Sequence, residues 1–353
     1  MPATSDARDE DRPDGAGGPI DGRPGRRTFL DAGLERCLER DGYVVVPSIA
    51  ADLLDHLRMA AALAVGSSST EPVPPGSPAT DWSRATAPGP SMRINIDDED
   101  AAGRAAFEQA LAPLWERLLP RLFHDHELLL SACLIKFPGA DGVMPLHQDG
   151  TVVDEDRSRS VTVWLPVDDT GVHTRNGALH VLPGSHRVGR ELRGTGTSQS
   201  FAADLPVLWR RSVGLDVRAG DAVVLDARVL HGSPPNRSDR RRVAVTGVVV
   251  PRGEAIVHVR ADGGDWVQVL AADVSFYRGW SPRRAITQRS PDLAVVARVR
   301  NDQRVAVPQL LRGARRRRAV ATMRHRWVHA GGSRPWLRVT LPGKRDDGPL
   351  ELE

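Results

Sequence analysis

The first change of pattern along the chain falls near residue 28. Before it, Asp, Gly, Pro and Arg alternate with almost nothing apolar, which predicts a disordered tail over residues 1–27. Phe29, Leu30, Leu34 and Leu38 then recur at helical spacing as far as Asp41-Gly42, and Tyr43-Val44-Val45-Val46-Pro47 reads as a strand. Leu53, Leu54, Leu57 and the Ala-rich stretch to Val65 predict a second helix. Residues 66–91 are rich in Ser, Pro and Gly and predict a long loop, of the kind that serves as a lid or linker. A third helical stretch runs from Ala101 to Leu122, with Phe107, Leu111, Leu114, Leu118 and Leu122 on one side. Pro113 and Pro120 fall inside it and predict a kink or a split into two shorter helices.

From Leu128 the period changes from helical to short and extended. Strands are expected at Leu128–Phe137, Val161–Leu165, Ala178–Leu182, Val213–Val217, Ala222–Leu225, Val243–Val250 and Ile256–Val259. Pro138-Gly139, Pro183-Gly184, Ala219-Gly220 and Pro234-Pro235-Asn236 punctuate them. This is the signature of an antiparallel sandwich or jelly roll, mainly β, with an N-terminal helical layer covering one sheet. We read one domain over residues 28–260, with its β core over about 128–260, and a C-terminal extension over 261–353. Further strands are expected there at Leu293–Val299, Val305–Val307, Trp327–His329 and Trp336–Val339.

Composition alters this picture in three places. Gly (33) and Pro (27) are frequent for 353 residues, which favours turns and short strands over long helices. Cys37 and Cys133 stand far apart and outside any ligand spacing, so a reducing, cytoplasmic setting suits them better than secretion. Arg26-Arg27 resembles a twin-arginine export signal, but charged Asp31, Glu35, Arg36, Glu39 and Arg40 follow where an apolar stretch is required. No apolar run approaches the ~18 residues of a membrane span. The net charge of +3 hides an asymmetry, since twenty basic residues face ten acidic ones from Pro251 onward, densest at Arg315–Arg318. That run reads as a solvated face, without the interleaved aromatics of a nucleic-acid surface.

The chemistry lies in the β core. His147-Gln148-Asp149 follows Lys136-Phe137-Pro138-Gly139, where a strand gives way to a loop. Residues two apart on an extended chain point to the same side, so imidazole and carboxylate can share one ion. His231 closes the stretch Ala222–Leu230 and completes two His and one carboxylate. Such a set leaves three sites open on Fe(II), although zinc would accept the same ligands. Arg242 separates the two, because an arginine on a strand whose same face continues as Ala244 and Thr246 can pair with a cosubstrate carboxylate. Arg240 and Arg241 compete with it for that role. His180 and His186 read as structural residues around Pro183-Gly184, and His124-Asp125-His126 as a solvated turn.

In this order and spacing the chain resembles the phytanoyl-CoA dioxygenase-like family of Fe(II)/2-oxoglutarate oxygenases. The resemblance covers roughly residues 40–250 and rests on Asp41–Pro47, Lys136–Gly139, His147–Gly150, Asn176–His186, Gly220-Asp221, His231–Ser233, Asn236–Ser238 and Arg242. It implies a double-stranded β-helix, cupin-like, with His147, Asp149 and His231 as Fe(II) ligands. It implies 2-oxoglutarate as cosubstrate, chelating through its keto acid end, with its distal carboxylate on Arg242. Lys136, Trp164 and Ser233 match positions lining the cosubstrate pocket, and Thr162 and Trp164 share one strand face. The expected reaction is hydroxylation of a small molecule or carrier-bound metabolite by O2, with loss of succinate and CO2. Asp149 stands where halogenating relatives carry a small residue. Two other readings remain: a jelly-roll metal protein without turnover, a sensor or pseudoenzyme, and an oxygenase docking nucleic acid through its basic C-terminal segment. Residues 66–91, 150–159 and 187–212 are expected to frame the entrance.

Overall fold

Tyr43-Val44-Val45-Val46 is buried at every position because its two faces meet different partners. Val44 and Val46 face a layer of helices, whereas Tyr43 and Val45 face a second sheet. The whole β core repeats this division. A computed structural model describes residues 27–66, 81–97, 101–188, 191–281, 293–302 and 307–310. The tail, most of the 66–91 loop, Arg315–Arg318 and the strands expected at Trp327–His329 and Trp336–Val339 lie outside the described residues.

In chain order the elements are α1 (Ala32–Asp41), β1 (Tyr43–Val46), α2 (Leu54–Gly66), β2 (Met92–Ile94), α3 (Ala101–Leu122), β3 (His126–Lys136), β4 (Met144–His147), β5 (Val161–Pro166) and β6 (His180–Val181). There follow α4 (Leu205–Trp209), β7 (Val213–Gly214), β8 (Ala222–Asp226), β9 (His231–Ser233), β10 (Arg242–Pro251), β11 (Val257–Ala261), β12 (Trp266–Ala271), α5 (Val274–Gly279) and β13 (Val295–Arg300). A six-stranded sheet runs β1-β8-β5-β10-β3-β2 and a four-stranded sheet runs β4-β9-β6-β7. Their paired strands are antiparallel, and the inner faces meet through Tyr43, Val45, Trp164, Val223 and Ala244 on one side and Leu179, Val181 and Val213 on the other. This is the expected jelly roll.

α1 begins where Asp31 accepts hydrogen bonds from Gly33 N and Leu34 N. It ends at Gly42, whose left-handed φ of 78° lets its N–H reach Leu38 O. α2 and α3 then pack Leu57, Ala60, Phe107, Leu111, Leu114 and Leu118 against Val161, Val163 and Val245 of the large sheet. Of the expected kink or split of α3, the split does not occur: one helix spans Ala101–Leu122 with Pro113 and Pro120 inside it. Each Pro removes one backbone hydrogen bond, a cost that burial of the Phe107–Leu118 face outweighs.

Residues 187–212, expected to frame the entrance, include α4, whose Leu205 and Leu208 pack with Leu146 and Leu230 behind the small sheet. One further expectation needs correcting. His126 is not solvated; it is buried beside Phe123 with Nδ1 at 2.7 Å from His124 O. His186 is structural as expected, with Nε2 at 3.0 Å from Glu39 O.

A third sheet, β11-β12-β13, crosses the position where the C-terminal extension was expected to begin, since Ala261 pairs with Val267. It is tied to residues 191–197 by Thr195 N to Val259 O, Ala261 N to Thr195 O, and Asn301 with both backbone groups of Leu192. No helix among the described residues is long and apolar enough to cross a membrane.

Two tests follow from this packing. Phe107 is fully buried, so Phe107→Ala should lower stability to urea by about 3–5 kcal/mol, whereas exposed Met59→Ala should change it by less than about 0.5 kcal/mol. Burial pushes the His186 imidazole down to about 4, so the native chain keeps it neutral where the unfolded chain, near 6.5, takes up a proton. Stability should therefore fall as pH drops through the window from about 6.5 to 4, and His186→Gln should flatten that slope in urea titrations at stepped pH.

Candidate metal centre

β4 and β9 pair so that His147 stands opposite His231, and their rings lie 4.3 Å apart. Each ring is oriented by its own strand: His147 Nδ1 lies 2.8 Å from Pro145 O, and His231 Nδ1 3.0 Å from Val229 O. With Nδ1–H donating to those carbonyls, both Nε2 lone pairs point to the same space. Asp149 completes it, its Oδ1 lying 3.6 Å from each Nε2. The three ligand atoms fall within 4.8 Å of one another. The loop that carries Asp149 is fixed by Asp149 N to Ala227 O at 2.8 Å and by Gln148 Nε2 to Arg228 O at 2.6 Å.

Charge and burial oppose each other here. Burial would raise the Asp149 carboxyl, but the His231 and His147 charges and the hydrogen bonds it accepts hold it well below the ordinary carboxylate range. Burial, aided by the neighbouring His147, pushes His231 down to about 4. His147 is also penalised by burial, yet the Asp149 hydrogen bond and charge outweigh that and raise it. One carboxylate thus faces two imidazoles, of which one is held neutral, a donor set suited to a divalent cation.

A second group lies two residues along β9. Lys136 and Arg242 are register partners on β3 and β10, both buried. Lys136 Nζ donates to Ser233 O at 2.7 Å and to Pro234 O. Arg242 Nη2 donates to Gly177 O at 3.1 Å and to Ser233 Oγ at 3.3 Å, while its Nε and Nη1 are buried without a partner. The guanidinium carbon lies 5.7 Å from the Trp164 ring centroid. Gly177, at φ 77°, lets the backbone come close: a Cβ there would lie 2.8 Å from Pro234 O and 3.0 Å from Lys136 Cδ. Burial lowers Arg242 to about 10, and burial with the Arg242 charge draws Lys136 well below the usual lysine range. Of the three neighbouring arginines Arg242 turns inward, whereas Arg240 and Arg241 are exposed.

All seven residues singled out in the sequence therefore fall into two adjoining groups. Three contacts escaped that reading. Thr162 Oγ1 donates to Asp149 Oδ2 at 2.7 Å, and Gly177 roofs the Lys136 side chain. Arg193, buried, donates from Nε to Asp149 O at 2.7 Å and pairs with Glu155. The alternation of Thr162 with Trp164 could have pointed to the first; nothing local marks Arg193.

The sequence profile of the phytanoyl-CoA dioxygenase (PhyH) family matches residues 38–244. The chain belongs to the phytanoyl-CoA dioxygenase family. Mouse phytanoyl-CoA dioxygenase domain-containing protein 1 is 34% identical over 125 residues, covering 33% of this chain and 42% of the mouse protein. The Dictyostelium discoideum homologue is 28% identical over 135 residues, 36% of this chain and 46% of its own length. The matched stretch is thus less than half of either relative. Among solved structures, a non-heme alpha-ketoglutarate-dependent carbocyclase from nogalamycin biosynthesis is similar at 19% identity and a TM-score of 0.42, covering 69% of this chain and 89% of its own. EvdO2 from Micromonospora carbonacea var. aurantiaca, complexed with 2-oxoglutarate, is similar at 21% identity and a TM-score of 0.41, covering 67% and 95%.

If the trio is a metal site, His147→Ala and Asp149→Ala should each abolish Co(II) binding in calorimetric titration and leave the thermal midpoint nearly unchanged. Binding at wild-type affinity in both variants would refute the assignment.

Proposed function

We propose that this protein is an Fe(II)- and 2-oxoglutarate-dependent dioxygenase that oxidises a small molecule or a carrier-bound metabolite. The observation that carries this reading is the buried Arg242 guanidinium with Nε and Nη1 unpartnered, beside a buried Lys136 that meets only carbonyl oxygens. A buried guanidinium without an anion is costly, and a second buried basic group beside it adds to the cost, unless a ligand supplies one. A dicarboxylate fits the spacing. His231 and Ser233 on β9, and Thr162 and Trp164 on β5, each span two residues of strand, about 7 Å from metal end to anchor end. The family shown by the profile supports the same cosubstrate.

His147, His231 and Asp149 would hold Fe(II) on one face and leave three positions for the keto acid and oxygen. Bound iron and keto acid supply oxygen activation, coupled to decarboxylation of the cosubstrate to succinate and CO2. The residues of the chain bind, orient and exclude water. The Arg242 guanidinium would meet the distal carboxylate through its unpartnered N–H groups, with Ser233 Oγ and Lys136 Nζ beside it. Trp164 lies against the guanidinium and keeps water from it. With Asp149 filling its position, the outcome favoured is hydroxylation.

Purified protein with Fe(II) should convert 2-oxoglutarate to succinate, and a screen of candidate substrates for stimulated succinate formation would find the one it acts on. Arg242→Ala should raise the Michaelis constant for 2-oxoglutarate by about one to three decades, the cost of stranding one partner of a buried charged pair, about 2–5 kcal/mol. Arg242→Lys should recover part of that loss. Exposed Arg241→Ala should leave the constant unchanged. No succinate under any condition would favour a metal protein without turnover.

A further inference from the structure

Asp149 turns its two carboxylate oxygens to different neighbours. Oδ1 faces the histidines, 3.6 Å from both Nε2 atoms. Oδ2 accepts the Thr162 hydroxyl at 2.7 Å, a distance typical of a good O–H···O bond to a charged oxygen. We infer that Thr162 is a positioning residue that commits Asp149 to the metal through one oxygen and so keeps a coordination position free. The inference rests on the iron and 2-oxoglutarate reading above.

The geometry separates what Thr162 does from what holds the rest of the loop. The Asp149 backbone is pinned by its own N–H on Ala227 O and by Arg193 Nε on its carbonyl. Neither contact restrains rotation of the carboxylate about its last bond. The Thr162 hydroxyl does, and its own placement is stiff. Thr162 is the second residue of β5, 7% exposed, paired with Leu225 of β8 on one side and Val248 of β10 on the other. A β-branched side chain in that setting has few rotamers.

The functional consequence is a matter of coordination number. Two imidazoles and one carboxylate oxygen occupy three positions of an octahedron. A carboxylate released from its hydrogen bond has a second oxygen with free lone pairs and can bind through both. That would fill a fourth position and leave two, which the keto acid needs for chelation, with none for oxygen. The methyl group of Thr162 cannot serve this purpose; the hydroxyl can.

The test reads the coordination sphere and not turnover. Mn(II) alone, in the full chain without cosubstrate, reports exchangeable water on the ion through the relaxation of solvent protons. Thr162→Val keeps the shape and removes the donor, and should lower that relaxation enhancement by about one third, as three open positions become two. Thr162→Ser keeps the hydroxyl and should match wild type. If Thr162→Val does not fold, as judged by its melting curve, Thr162→Ala carries the same expectation. Enhancement equal to wild type in the variants that lack the hydroxyl overturns the role given to Thr162. A wild-type chain that binds no Mn(II) or Co(II) overturns the iron reading itself, which is a different result.

Discussion

Lys136 and Arg242 share one buried pocket in which neither meets a carboxylate among the described residues, and much of the architecture follows from that constraint. Lys136 and Arg242 stand opposite each other on adjacent strands, so the β3–β10 register alone forces like charges together. The fold meets this with carbonyl oxygens of Gly177, Ser233 and Pro234, with the Trp164 face, and with lowered proton affinity of both groups. These are partial answers, since two nitrogens of Arg242, Nε and Nη1, stay without a partner. A carboxylate reaching the pocket would satisfy them, and any ligand that supplied one would stabilise the native chain through the same contacts.

Against this background the sequence was most readable where periodicity and chemistry coincided. The period-two pattern around Arg242 placed Ala244 on its face, and the structure buries both toward the inner core. His147 and Asp149, two apart, do share one ion-sized space, and His231 meets them because β9 begins at that residue. The helical layer was visible in the spacing from Phe107 to Leu122, but the two prolines do not divide it. Propensity acts locally, whereas the apolar side of α3 is buried along its length against a sheet distant in sequence.

What stayed hidden depended on partners far along the chain. β2, β4 and β9 have three or four residues each, too few to show a period. Leu205 and Leu208 had no visible purpose until Leu146 and Leu230, the immediate neighbours of the two histidine ligands, were seen beneath them. Arg193 gave no local signal because the groups it holds, Asp149 O and Glu155, lie some forty residues earlier.

The stretch 191–197 carries a further consequence. On one side its Arg193 grips the carbonyl of Asp149; on the other it is laced to β11 and to Asn301 just past β13. A chain cut at residue 260 would retain His147, Asp149, His231, Lys136, Arg242 and both principal sheets. It would still lose the Asn301 contacts and the β12 partner of β11, and with them the outer support that aligns Arg193. The small third sheet is therefore no mere accessory: Asn301 and β12 are joined to Asp149 through the 191–197 stretch, although neither touches it.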